Sequence, residues 1–169
     1  MSGAVSPLLG VGAGIALIAA ALSDRPPRVL WNASASLPIG LYALAPPGPL
    51  SLGELVAVAL PPEQAEWVTE RGYLGRSALL LKRVAALPGT EVCRIGNAVL
   101  IDGNAVATAL ETDRHGRPLP DWQGCAVLDA HQLFLLLAET PDSLDGRYFG
   151  PTDATSIVAR ARPIWTRRG

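Results

Sequence analysis

The chain has few charged side chains and no large excess of either sign. Its 169 residues include 14 basic and 15 acidic side chains, and the formal net charge is -1 at pH 7. A nucleic-acid-binding domain needs a basic surface to neutralise phosphates, and here only the C-terminus is locally basic. We therefore expect no nucleic-acid partner. The length suits one domain with its own hydrophobic core.

The sequence also lacks the short motifs of the common catalytic and cofactor sites. It contains no H-E-x-x-H, no G-x-x-x-x-G-K and no G-x-S-x-G. The two histidines, His115 in a charged loop and His131 before an apolar run, are interpreted as surface or turn residues. We therefore expect no metal and no other cofactor.

The two cysteines lack the spacing of a metal site or a redox motif. Cys93 and Cys125 form no C-x-x-C and no zinc-ligand pair. In an oxidising compartment they would form a disulfide; otherwise they are two independent small buried residues. The residues alone leave both alternatives open.

What the sequence does contain is a long uncharged apolar segment near its start. Residues 4–22 carry no charge, and a helix needs about 17–25 residues to span a bilayer. This predicts a transmembrane anchor. The alternative is a cleaved signal peptide, because residues 19–21 fit a small-x-small cleavage site, although the first three residues lack a basic side chain. Arg25 and Arg28 follow the segment, and their charge alone would place the downstream side in the cytoplasm.

The pattern after the apolar segment predicts one mainly β domain over residues 29–169. Apolar runs bounded by Gly, Pro, Asp or Asn are typical of strands, and they lie at 55–60, 78–84, 99–101, 133–138 and 157–159. Asp102-Gly103 predicts a hairpin with a type I′ turn. Pro61-Pro62 and Gly72 predict the start and the end of a helix over Glu63–Arg71. The polar segment 112–122 predicts an exposed loop.

One serine and one lysine are the best candidates for catalysis. Ser36 lies between an apolar stretch and a Pro/Gly turn, a placement that would expose its hydroxyl group. Lys82 is the only lysine of the chain, and it lies in an apolar run over residues 78–87. Burial there would favour the neutral amine, which can remove a proton from a serine hydroxyl. The alternative, which position alone favours, is a lysine on an edge strand or one that reaches solvent.

Three segments, in this order, resemble the signal peptidase I family and in particular its conjugative-transfer, TraF-type branch. Residues 36–42 (SLPIGLY) are similar to the nucleophile segment of that branch. Residues 82–89 (KRVAALPG) resemble the general-base box, and residues 143–151 (SLDGRYFGP) resemble the S-x-D-S-R-Y-x-G box. One residue separates the serine from its proline where housekeeping signal peptidases have two, and this favours the TraF branch. Gly146 replaces the usual serine of the third box.

The resemblance implies a role for each matching residue. Ser36 would be the nucleophile, with its backbone N–H donating to the oxyanion, and Lys82 would be the general base. Ser34 would be a second donor to the oxyanion, and the Ser143 hydroxyl group would orient the lysine. Asp145 and Arg147 would form an ion pair that supports the site from behind.

The resemblance also implies a fold, a location and a substrate. The fold is an antiparallel β-sheet, signal-peptidase-like (LexA-like) catalytic domain behind an N-terminal transmembrane helix. The location is the bacterial inner membrane, crossed once, with the domain in the periplasm, where Cys93 and Cys125 would be bonded. The substrates are exported precursors, here a pilin precursor, with small residues at the first and third positions before the cleaved bond. Release by water and release by the pilin's own amine, which gives a cyclic product, both remain open.

Two alternatives belong to other functional classes. A LexA-like self-cleaving repressor also uses Ser-Lys chemistry, but it has a DNA-binding domain where this chain has an apolar segment. A non-catalytic membrane-anchored scaffold of a secretion or conjugation apparatus could keep the fold alone. The presence of both Ser36 and Lys82 argues against a scaffold.

Overall fold

The computed structural model of the protein describes residues 28–75 and 78–167. The apolar segment 4–22, predicted as an anchor, lies outside the described residues. Within the described ranges, no helix is both long enough and apolar enough to cross a bilayer.

Short strands dominate the described part of the chain. They are β1 (Val29–Asn32), β2 (Gly40–Ala45), β3 (Leu55–Ala59), β4 (Leu79–Ala86), β5 (Glu91–Ile95), β6 (Ala98–Ile101), β7 (Asn104–Thr108), β8 (Gly124–Val127), β9 (Gln132–Leu136), β10 (Thr152–Asp153) and β11 (Ile157–Thr166). The helices are α1 (Pro62–Glu70) and α2 (Gly146–Phe149), and a 3₁₀ turn spans Ala154–Ser156.

The strands form two sheets in which every pairing is antiparallel. The larger sheet has the order β1-β2-β11-β3-β4-β9-β10, and the smaller sheet has the order β7-β6-β5-β8. The prediction of a mainly β, antiparallel domain is confirmed. Strand β4, which carries Lys82, lies inside the larger sheet between β3 and β9.

Apolar side chains from both sheets meet in one core cluster. Its buried residues come from β4, β5, β6 and β9 and from the segment after β8; they are Ala86, Val92, Val99, Leu128, Phe134 and Leu136. Two further clusters cover the larger sheet, one around Val56 and Leu135 and the other around Tyr42 and Leu81. Burial of these side chains is the main force that holds the sheets together, and it fixes the strands that carry the site.

The local predictions from turn residues agree with the structure. Asp102 and Gly103 both have positive φ, 46° and 74°, as a type I′ hairpin turn requires. Helix α1 begins at Pro62 and ends at Glu70, and Gly72 follows with a φ of 70°.

Strand β11 is longer than its apolar pattern predicted. The run 157–159 extends to Thr166, because β11 pairs with β3 at its start and with β2 over Arg160–Thr166. Ladder hydrogen bonds on these strands satisfy the backbone of a segment whose side chains are largely exposed.

Cys93 and Cys125 are joined in a disulfide, so the alternative of two independent buried cysteines is wrong. They lie opposite each other in the β5–β8 pair, 32 residues apart in sequence.

Candidate active site

The predicted nucleophile lies on a turn that the side chain of Asn32 organises. Residues 33–39 connect β1 to β2. The Asn32 Nδ2 group donates to the backbone carbonyls of Ser34, Leu37 and Pro38 at 3.0, 3.1 and 3.3 Å, and its Oδ1 accepts from the Ser34 N–H at 3.1 Å. One side chain at the end of β1 therefore fixes the path of the whole turn.

Ser34 and Ser36 contact each other through their hydroxyl groups. The two Oγ atoms lie 2.6 Å apart, and the Ser36 N–H donates to Ser34 Oγ at 3.2 Å. The structure thus brings together the two groups that the resemblance assigns to the oxyanion, the Ser36 N–H and the Ser34 hydroxyl. In this state they bond to each other.

Lys82 is buried on β4 and bonds to a third serine. Its side chain is 3% exposed, and its Nζ donates to Ser143 Oγ at 2.6 Å. Burial lowers the pKa of Lys82 to about 8; the carboxylates of Asp145 and Asp142 oppose this shift, and the Arg147 guanidinium adds to it. A buried amine with this pKa is partly neutral near neutral pH, as a general base must be. The alternative of a solvent-reaching lysine is wrong. The edge-strand alternative holds locally, because among the described residues Lys82 pairs with Val56 of β3 and has no partner on β9.

The serines and the lysine line one cavity of about 860 Å³. Its wall includes Ser34, Ser36, Lys82 and Ser143, together with apolar residues of β1 and β4. Among the described residues, however, no hydrogen bond joins Ser36 directly to Lys82. Ser36 Oγ and Lys82 Nζ must come within hydrogen-bond distance before a proton can move between them.

Asp145 and Arg147 form a buried ion pair behind the cavity. Arg147 Nε and Nη2 donate to the two Asp145 carboxylate oxygens at 2.9 and 3.1 Å, and both side chains are almost completely buried. The pair also holds the preceding loop, because Asp145 accepts from the Leu137 N–H at 3.0 Å and Arg147 donates to the carbonyls of Leu137 and Pro141 at 2.6 and 2.9 Å. Ser143 lies on this loop, so the ion pair supports the partner of the lysine.

Arg94 is a buried supporting residue that the sequence did not reveal. It is 3% exposed, and its Nη1 donates to the carbonyls of Arg147 and Pro120 at 2.8 and 3.1 Å. Val92, Cys93 and Arg94 are buried consecutively on β5, so the two-residue alternation that identifies an inward side chain is absent.

The predicted loop 112–122 forms one wall of the cavity. Asp113, Arg114, His115 and Leu119 line it, and Arg114 makes an ion pair with Asp142, which lines the same cavity. The segment is irregular, as predicted, but it is not purely a solvent-facing loop. His131 does not line this cavity, and its backbone N–H donates to Asp129.

Gly146, the departure from the third family box, has a steric reason in this chain. A Cβ atom at this position would lie 2.8 Å from both the Leu135 carbonyl oxygen and the Phe134 ring. The completely buried Phe134 ring occupies the space that a side chain at position 146 would need.

The described residues contain one group of possible metal ligands, Glu91 with Cys93 and Cys125. Both sulfurs belong to the disulfide and cannot bind a metal as thiolates. The group therefore gives no support for a metal centre.

The chain is similar to known proteins over nearly its whole length. The family model described as "Signal peptidase, peptidase S26" matches residues 4–166. The plasmid transfer protein TraF of Escherichia coli is 31% identical over an alignment of 169 positions that covers 94% of each chain. The conjugal transfer protein TraF of Agrobacterium fabrum is 36% identical over an alignment of 175 positions that covers 96% of each chain. A signal peptidase I from Enterococcus faecalis V583 superposes with a TM-score of 0.41 at 16% identity, over 69% of this chain and 98% of that chain.

Proposed function

Because the chain belongs to the signal peptidase S26 family, we propose that it is a serine endopeptidase with a Ser36–Lys82 dyad. The observation that carries this proposal is the buried amine with a lowered pKa in the same cavity as an ordered serine hydroxyl. No metal or cofactor is required for this chemistry, since the amine replaces the histidine of a conventional triad.

The reaction begins when the Ser36 hydroxyl turns from Ser34 towards Lys82. Neutral Lys82 takes the hydroxyl proton as Ser36 Oγ forms a bond to the scissile carbonyl carbon, and the negative charge develops on the carbonyl oxygen. The Ser36 N–H and the Ser34 hydroxyl, which bond to each other in the resting state, then turn to that oxygen. Ser143 holds the lysine during the transfer.

The tetrahedral intermediate collapses when Lys82 returns the proton to the leaving amine. The carbon–nitrogen bond breaks, and an ester on Ser36 remains. A water molecule can attack this ester and release the acid. The substrate's own N-terminal amine can attack it instead and close a cyclic product. Both routes regenerate the Ser36 hydroxyl with Lys82 as the proton carrier, and the acceptor that reaches the ester first decides between them.

We propose an extended precursor, specifically a pilin precursor, as the substrate, which accords with the transfer proteins among the relatives. Strand β4 pairs with β3 from Leu79 to Arg83, but its pairing with β9 includes only Arg83–Ala86. Among the described residues, the other edge of Leu79–Lys82 is therefore without a strand partner. This edge lies beside the cavity, where a substrate strand can form ladder hydrogen bonds. Shallow pockets under alternate substrate side chains would admit methyl groups and exclude larger ones.

We further propose that the domain works at the periplasmic surface of the inner membrane. Trp31 and Trp165 are about half exposed and stack with their ring centroids 6.0 Å apart. Val29 and Ile164 are exposed beside them in sequence, and the apolar segment 4–22 precedes β1. Exposed tryptophan is favourable at a membrane interface, where its ring meets both lipid and water.

The test is the intact mass of a pilin precursor expressed with the wild-type protein, with Ser36→Ala or alone. The wild type should shorten the precursor, and the other two arms should leave it intact. A cyclic product is lighter by one water than the hydrolysed product, so the same spectrum separates the two routes.

Changing alanine to leucine or phenylalanine immediately before the cleaved bond should nearly abolish processing. Equal processing of small and bulky variants would contradict the pocket argument. An unchanged precursor mass with the wild type would favour the non-catalytic scaffold.

A further inference from the structure

We infer that Thr140 is a positioning residue. It fixes the turn 33–39, which carries Ser36, relative to the loop 137–145, which carries the Ser143 partner of Lys82. This inference rests on the proposed Ser36–Lys82 chemistry. The Thr140 hydroxyl donates to the backbone carbonyl of Ser36 at 3.1 Å, across 104 residues of sequence. Among the described residues, this is the one hydrogen bond between the turn 33–39 and the loop 137–145.

The backbone of Thr140 continues the connection to the lysine. Its carbonyl accepts from the Ser143 N–H at 3.0 Å, and its own N–H donates to the Leu137 carbonyl at 3.0 Å. Ser143 Oγ in turn accepts from Lys82 Nζ at 2.6 Å. A continuous path of short contacts therefore runs from Ser36 through Thr140 and Ser143 to Lys82.

The loop that carries Thr140 is held in place by hydrogen bonds from the buried Arg147 side chain. Arg147 donates to the carbonyls on both sides of Thr140, at Leu137 and Pro141, and Arg147 is itself held by the buried carboxylate of Asp145. The Ser36 carbonyl that Thr140 holds determines the ψ angle of Ser36. The hydrogen bond thus helps to set where the serine hydroxyl can turn relative to the amine.

Thr140 acts through other residues and not on the substrate, since it is absent from the cavity wall. Loss of its hydroxyl should therefore slow the chemical step and leave substrate binding unchanged. A displacement on the order of 1 Å at a reacting group can reduce the rate by about 10²-fold. We expect Thr140→Val to lower kcat by about 10- to 100-fold with KM within about twofold of the wild-type value.

The experiment compares Thr140→Val, which keeps the branched shape without the donor, with Thr140→Ser, which keeps the donor. Thr69→Val is the matched control, because the Thr69 hydroxyl donates to the Ala65 carbonyl at 2.7 Å within α1, away from the cavity. Thr140→Ser and Thr69→Val should retain kcat within about threefold of the wild type. The inference is overturned if Thr140→Val has the wild-type kcat, or if Thr140→Ser is as slow as Thr140→Val.

A second measurement needs no substrate. The two native cysteines are bonded to each other, so a full-length Ser36→Cys variant has a single free thiol. A nearby ammonium group stabilises a thiolate and accelerates its alkylation. At pH 7, iodoacetamide should therefore react with the thiol of Ser36→Cys several-fold faster when residue 140 is Thr or Ser than when it is Val. Equal rates in the three backgrounds would overturn the inference.

The two experiments also separate this inference from the proposed function. Suppose that the wild type cleaves its precursor while Ser36→Ala does not, and yet all residue-140 variants have the same kcat and alkylation rate. That result would support the peptidase activity and contradict the role of Thr140. If the wild type cleaves no precursor, the proposed function fails, and the alkylation rates decide whether Thr140 still positions residue 36.

Discussion

Replacing Lys82 with methionine should stabilise the protein near neutral pH and reduce the pH dependence of its stability. Burial lowers the pKa of Lys82 from 10.5 to about 8. One pKa unit corresponds to about 1.36 kcal/mol, so keeping the charged amine inside the fold costs about 3 kcal/mol. Methionine has a similar length, fills the same space and carries no charge.

The sign of the effect follows from which state binds more protons. Well below pH 8 almost all folded and unfolded chains carry the proton, and the folded state has nearly the whole cost of the buried charge. Between pH 8 and 10.5 the unfolded chain binds more protons than the folded chain, so the wild-type free energy of unfolding rises with pH. Above pH 10.5 the cost is absent. The advantage of Lys82→Met should therefore be largest at pH 7 and should shrink by about 2 kcal/mol at pH 9.5.

Urea unfolding of the full-length protein at pH 7 and 9.5 measures this difference between wild type and variant. Arg83→Met is the matched control, because Arg83 is the next residue on β4 and is exposed, with its Nη1 donating to the Gly53 carbonyl. This control should show no comparable change with pH. A stability difference between wild type and Lys82→Met that is the same at both pH values would refute the assignment of Lys82 as a buried, readily neutralised amine.

Three further predictions concern the rate, the packing and the disulfide. The cleavage rate should rise with pH through about 8, because only neutral Lys82 can accept the serine proton; a rate that is flat from pH 5 to 9 in folded protein would indicate another base. Gly146→Ser should destabilise the protein by about 1–3 kcal/mol in thermal or urea unfolding, because its Cβ would collide with neighbouring atoms. Gly75→Ala, where the space is open, should have little effect, and equal effects of the two would contradict the steric argument. Thiol labelling of unfolded, unreduced protein should find neither Cys93 nor Cys125 reactive. Two reactive thiols would show that the disulfide is not formed.

The elements that the sequence predicted well are those with strong local signals. Asp102-Gly103 tolerates the positive φ of its turn, and Pro61-Pro62 has the fixed φ and the missing N–H that suit the start of a helix, so the hairpin and helix α1 could be located from these residues alone. The length of β11 could not be read in this way. Its ordering comes from pairing with β2 and β3, which are far away in sequence.

The residues of the candidate site also divide into those with a local sequence signal and those that only the tertiary fold brings into place. Ser36 and Lys82 lie in segments with a recognisable local pattern, and the structure places both on one cavity wall. The supporting residues Asn32, Arg94 and Thr140 act through hydrogen bonds to backbone carbonyls. Such bonds leave no periodic signal, because the accepting carbonyl is present at every residue and only the tertiary fold selects the partner.

The cleavage rate of one purified precursor by four proteins tests the central claim most directly: wild type, Ser36→Ala, Lys82→Ala and the double variant His115→Ala/His131→Ala. The double variant matters because His115 lines the cavity and a histidine is the usual alternative base for a serine nucleophile. We predict that Ser36→Ala and Lys82→Ala each lose at least about 10²-fold in kcat, while the double histidine variant keeps the wild-type rate. A folded Lys82→Ala protein that cleaves at the wild-type rate, or a folded double variant without activity, would contradict the Ser36–Lys82 dyad.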